Sequence, residues 1–173
     1  MATQDDLSDY LIAPDLSHPG LSRAVDGIDQ DGNKSAMSVV EERPLTIFLN
    51  AQEIVTAMTI GDYPEYLALG FLRNQGMLQD DADVTGVSYD EELATVVVRT
   101  ATQTSYEDKL KKQTRTSGCA VGTVFGDMME GLEQVTLPTS LVKTSWLYAL
   151  AAKINRTPSL YLNVGAIHGT VLC

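Results

Sequence analysis

Cys119 stands in the stretch RTSGCAVGTVFGD, Arg115 to Asp127, among small residues with hydroxyls on both sides. A cysteine works as a nucleophile or as a sulfur carrier only as the thiolate, and only where a second reactant can reach it. The neighbours suit both demands. Gly118, Gly122 and Gly126 let the backbone bend and turn amide hydrogens toward an anion. Thr116, Ser117 and Thr123 add donors, and the positive charge of Arg115 favours the thiolate. A second account fits the same residue types, since a single cysteine also serves as a small buried hydrophobe with no chemistry. His168, in VGAIHGT, lies between small residues at the end of a strand-like run. Its side chain either enters a cleft there or makes a satisfied structural hydrogen bond.

Other chemistries fit poorly. No G-x-x-x-x-G-K-S/T occurs, and the spacing of Gly118, Gly122 and Gly126 is not that of a dinucleotide fingerprint. A zinc deaminase needs H-x-E and P-C-x-x-C, but neither His18 nor His168 begins the first and Cys119 lacks the second cysteine. The same scarcity of ligands argues against structural zinc. Asp80, Asp81 and Asp83 crowd into QDDADV, where a solvated turn explains them better than a calcium loop.

The 173 residues suffice for one domain, or for one domain with a tail. A net charge of -11 argues against general affinity for nucleic acid or anionic membrane, which both require a positive field. Much of that charge is local: residues 1–42 hold nine acidic side chains against Arg23 and Lys34. The rest is close to balanced, which leaves room for a basic groove holding an anionic cofactor. No apolar run reaches membrane-spanning length, and MATQDDLSDY is acidic where a signal peptide would be basic and then apolar. The expected place is the cytoplasm, with Cys119 and Cys173 both reduced.

The elements that must position the cysteine come next. Residues 1–39 combine acids with Ser, Gly, Asn and Pro and show no sustained apolar period, which predicts a mostly disordered, solvated tail. PLTIFLN and EIVTAMTI, around Asn50-Ala51-Gln52, predict a hairpin with Leu45, Ile47 and Leu49 alternating against Ile54, Thr56, Met58 and Ile60. A helix follows from about Tyr63 to Gln75, capped by Asp62, with Leu67, Phe71 and Leu72 on its stripe. DVTGVSYDEELATVVVRT gives a second strand pair turning at Asp90-Glu91-Glu92, and TSYEDKLKKQ a short helix or loop. Past the cysteine segment, PTSLVKTSWLYALAAKIN predicts a helix capped by Thr139 or Ser140. Its buried face is Val142, Trp146, Leu150 and Ile154, with Leu147 and Ala151. LYLNVGAIHGTVLC then reads as a buried strand. The order indicates α plus β.

Three segments resemble the formate dehydrogenase accessory sulfurtransferases, the FdhD family. ERPLTIFLNAQEIVTAMTIGDYPEYLALGFLRNQGML is similar to the family's opening strand, hairpin and helix; RTSGCAVGTVFGD to its cysteine loop; and VGAIHGTVL to its later T-G-G-x-H-A-A-A-L strand. They run in family order from about Glu42 to Cys173. The resemblance implies a cytidine-deaminase-like α/β (α+β) fold, a mixed sheet with helices, preceded by a small β-rich N-terminal subdomain. The expected division is a tail over 1–39, the β-rich part with one helix over 40–104, and the cysteine loop, helix and strand over 105–173. The implied activity is that of a sulfur carrier, or sulfurtransferase. It takes sulfur from a cysteine desulfurase as a persulfide on Cys119 and delivers it to bis-molybdopterin guanine dinucleotide, the molybdenum cofactor of formate dehydrogenase. Gly165 and His168 match the glycine and histidine of the strand motif and are the implied cofactor contacts. The protein itself would hold no metal. A homodimer is implied as well.

Some features depart from the family pattern. Members with C-x-x-C at the loop have a second thiol, whereas Cys119-Ala-Val-Gly122 has one, so transfer would pass through a single persulfide. Val164 and Ala166 flank Gly165 where the motif has Thr and a second Gly, and Asn50-Ala51 stands where many members have Asn-Gly. Family members continue past the histidine strand through a segment resembling E-D-V-G-R-H-N-A-x-D-K, so a fragment of a longer protein is expected rather than a truncated paralogue. The competing functional reading is a chaperone that grips the cofactor or the apo-enzyme and transfers no sulfur. A thiol redox sensor ranks behind both, because nothing near Cys119 resembles a resolving thiol.

Overall fold

The computed structural model describes residues 15–78, 84–101, 113–115, 123–125, 135–136 and 138–167. They bear out the α plus β class. Two compact units divide the chain, one from Met1–Glu41 with Val142–Cys173 and the other from Glu42–Leu141.

The second unit is built on a four-stranded mixed sheet. β3 (Arg43–Leu49) and β4 (Gln52–Thr59) form the expected antiparallel hairpin, and β5 (Val84–Asp90) pairs antiparallel with β6 (Thr95–Thr100). β3 and β6 run parallel in the middle, Thr46 opposite Thr95 through Leu49 opposite Val98, giving the order β4-β3-β6-β5. A parallel pair needs a long crossover, which here includes α1 (Pro64–Asn74). Leu45, Ile47, Leu49, Val96 and Val98 are buried with Ala68 and Leu72 of α1, and Met77 and Leu78 join the same core. At the hairpin turn Asn50 has φ 55°, and its side chain reaches Thr100 twice. Its Nδ2 donates to Thr100 Oγ1 at 3.0 Å and its Oδ1 accepts from the Thr100 amide at 2.9 Å.

Two details of this unit differ from expectation. A register shift falls between Ile47, opposite Val55, and Phe48, opposite Glu53, so Ile54 is the extra residue of a bulge. The bulge resets the side-chain alternation, and the adjacent residues Ile54 and Val55 are both buried while Met58 is exposed. In α1 the buried line is Pro64, Ala68 and Leu72. Leu67 points outward, and Phe71 and Leu69 pack at the margin of the core. The N-cap position falls on Tyr63, in a left-handed conformation, rather than on Asp62, and the Tyr63 side chain makes no capping hydrogen bond. Pro64 at its first turn needs no capping partner for its nitrogen.

The other unit contains the clearest correction. Ser22–Val40 does not form a solvated tail: β1 (Ser22–Ile28) and β2 (Lys34–Val40) pair antiparallel over their whole length, from Ser22 opposite Val40 to Ile28 opposite Lys34. The turn explains why a polar segment folds back. Asp29 Oδ1 accepts from the amides of Asp31 at 2.9 Å and Asn33 at 2.8 Å, and Gly32 supplies φ 83°. Leu21, just before β1, is buried.

The same unit holds α2 (Thr144–Ile154), which begins later than expected with Lys143 at its N-cap in place of Thr139 or Ser140. None of its residues is buried, and Trp146, Leu147 and Ile154 of the expected buried face are exposed. Leu160–Val164, expected as a strand, is the short helix α3. Ser159 is its N-cap and accepts from the Leu162 amide, which converts an apolar, β-favouring run into a helical turn. α3 lies against β2, and Leu160 is buried. The expected helix or loop at 104–112, the aspartate turn at 80–83, and Cys173 lie outside the described residues.

Candidate functional site

Strands β7 (Gln113–Arg115) and β8 (Thr123–Phe125) frame the cysteine segment. They pair antiparallel, Gln113 with Phe125, Thr114 with Val124 and Arg115 with Thr123. The chain thus leaves the ladder at Arg115 and returns to the same rung at Thr123. Cys119 falls at the midpoint of the connection 116–122 and lies outside the described residues. Arg115 and Thr123, chosen from the sequence as a charge and a donor near the thiol, are therefore backbone partners at the base of that connection.

Gly165 is placed by α3. It is the C-cap residue, its amide donates to the Tyr161 carbonyl at 2.9 Å, and its backbone has φ 69° and ψ -171°. That combination is essentially open to glycine alone. A Cβ at Gly165 would meet nothing within 4 Å, so the demand for glycine comes from the backbone angles and not from crowding. Ala166 follows with φ 52°. His168 lies outside the described residues. Gly165 belongs to the first unit and the β7–β8 frame to the second.

Among the described residues the resolved carboxyl shifts are at Asp15 and Asp29, both lowered, and neither residue belongs to β7, β8 or α3. Among the described residues no group of three or more His, Cys, Asp or Glu side chains could hold a metal ion. The described residues add no further candidate to Cys119, Gly165 and His168.

The resemblance anticipates a cysteine loop ahead of a helix and the histidine motif, in that order along the chain; the strand pair that brackets the loop segment is added by the structure. The FdhD/NarQ family model matches residues 40–173, and the chain belongs to that family. Among its relatives, the sulfur carrier protein FdhD of Listeria monocytogenes serovar 1/2a is 26% identical over 162 residues, which are 91% of this chain and 61% of that protein. The sulfur carrier protein FdhD of Bacillus subtilis strain 168 is 26% identical over 138 residues, 78% of this chain and 52% of that protein. A crystal structure of a protein proposed as a formate dehydrogenase accessory protein, from Desulfotalea psychrophila, overlaps with a TM-score of 0.42 at 23% identity. The overlap covers 46% of this chain and 37% of that one. The chain spans 61% of the length of the Listeria relative.

Proposed function

We propose that this chain acts in a sulfur carrier that accepts persulfide sulfur on Cys119 and delivers it to a molybdenum cofactor. The observation that supports this most is the family match over 40–173, which includes the cysteine segment, with relatives named as sulfur carriers. The position of Cys119 between the paired ends Arg115 and Thr123 supports it further.

In the accepting step the Cys119 thiolate attacks the terminal sulfur of a persulfide on a cysteine desulfurase. The sulfur–sulfur bond of the donor breaks, the desulfurase cysteine leaves as thiolate, and Cys119 carries the new persulfide. Arg115, at the base of the connection, would favour the anion before and after transfer. In delivery the sulfur–sulfur bond on Cys119 breaks, Cys119 leaves as thiolate, and the terminal sulfur goes to bis-molybdopterin guanine dinucleotide, cargo for a formate dehydrogenase. A reductant outside this chain supplies the two electrons that bring the sulfur to the sulfide level, with His168 beside the cofactor or the persulfide. Gly165 contributes by holding the turn that leads to His168. The reaction belongs in the cytoplasm, where thiols stay reduced. Among the described residues no helix is long and apolar enough to cross a membrane.

The test is intact-mass spectrometry after incubating the reduced protein with a cysteine desulfurase and cysteine. Cys119→Ala and Cys173→Ala variants are run alongside, and the Listeria relative serves as positive control. A gain of one sulfur atom that dithiothreitol removes, present in Cys173→Ala and absent in Cys119→Ala, is the expected result. If the folded wild-type chain gains no sulfur while the Listeria protein gains it, the assay is repeated on the chain extended to the length of that relative, and failure there as well overturns the carrier reading and leaves cofactor or apo-enzyme binding without transfer.

A further inference from the structure

We draw no further inference here: the strongest candidate, the exposed apolar face of α2 with Trp146, Leu147 and Ile154, carries nothing, because nothing in the structure shows what covers it.

Discussion

Asn50 shows how one side chain can hold two distant parts of a sheet. It occupies a left-handed position, φ 55°, that asparagine tolerates better than most residues, and it bonds both the amide and the hydroxyl of Thr100. Replacing it with alanine leaves the half-buried Thr100 amide without that acceptor and puts a Cβ-bearing apolar residue at positive φ. The expected loss for Asn50→Ala is about 1–3 kcal/mol from the hydrogen bonds. Asn50→Gly loses the same bonds but relieves the backbone, so it should lie between wild type and alanine in urea unfolding. Equal stability of alanine and wild type would show that the bridge to Thr100 contributes nothing. The sequence showed the turn at Asn50 because the alternation on both sides stops there. The bridge was hidden, since its partner lies half a hundred residues away and nothing local marks Thr100.

The same contrast governs the candidate site. Cys119 stands out in the sequence because glycines and hydroxyls around a thiol form a local pattern, and the structure adds the pairing of Arg115 with Thr123 on either side of 116–122. Gly165 was legible as a motif glycine, but its backbone reason was not. The residues before it, LYLNV, favour strands, and the Ser159 cap that turns them into α3 was outweighed by that apolar run.

Among the elements, α1 tests the difference between an apolar residue and a buried one. Leu67, Phe71 and Leu72 are all apolar, but only Leu72, with Ala68 one turn before it, points into the sheet at 0% exposure. Leu72→Ala should therefore cost about 2–5 kcal/mol through lost contacts and a cavity. Leu67→Ala, at an exposed position, should stay within roughly 0.5 kcal/mol of wild type. Urea midpoints of the two variants give the answer, and a larger loss at Leu67 would rotate the helix from its described face. The period of the helix was readable in the sequence. Its phase was not, because Pro64 and Ala68 carry the buried line and neither reads as a core residue by size.

The β1–β2 hairpin was hidden for a different reason. SRAVDGI and KSAMSVV are mostly exposed, so they lack the one-sided apolar alternation that marks a strand packed on a core. The available signal was the turn, where Asp31-Gly32 separates two segments with β-branched residues. Asp29 organises that turn, and its carboxyl is held below its ordinary value chiefly by the Asn33 backbone amide, with the Asp31 amide and the Asn33 side chain adding to it. A lowered folded-state value means that the charged form supports the turn at pH above the ordinary carboxylate range and that this support is lost as pH falls through the folded-state value. The Asp31 and Asn33 amide resonances should accordingly shift together on acidification, with a midpoint below 3.8, the unperturbed aspartate value. Asp29→Ala should abolish that titration. A midpoint at or above 3.8 would mean that the turn does not hold the carboxylate in solution.

Across the whole molecule, buried apolar side chains are unevenly shared between the two units. The continuous buried cluster runs from Leu45 to Val98 and belongs wholly to the unit Glu42–Leu141. In the other unit, among the described residues, only Leu21 and Leu160 are buried hydrophobics, and its sheet has two strands. A two-stranded sheet is marginal by itself, and local opening costs least where few apolar contacts must be broken. Amide hydrogen exchange should therefore be slowest in β3 and β6, the central strands with neighbours on both sides, and intermediate in α1. It should be fastest in β1 and β2, despite their unbroken register, and in α2, which has no buried residue. The experiment is peptide-resolved exchange under native conditions. If β1 and β2 exchange as slowly as β3 and β6, the first unit has a core equal to the second, and stability is not concentrated in the four-stranded sheet. If the predicted order holds, destabilising changes should act first on the unit that carries Gly165, while the β4-β3-β6-β5 sheet remains folded.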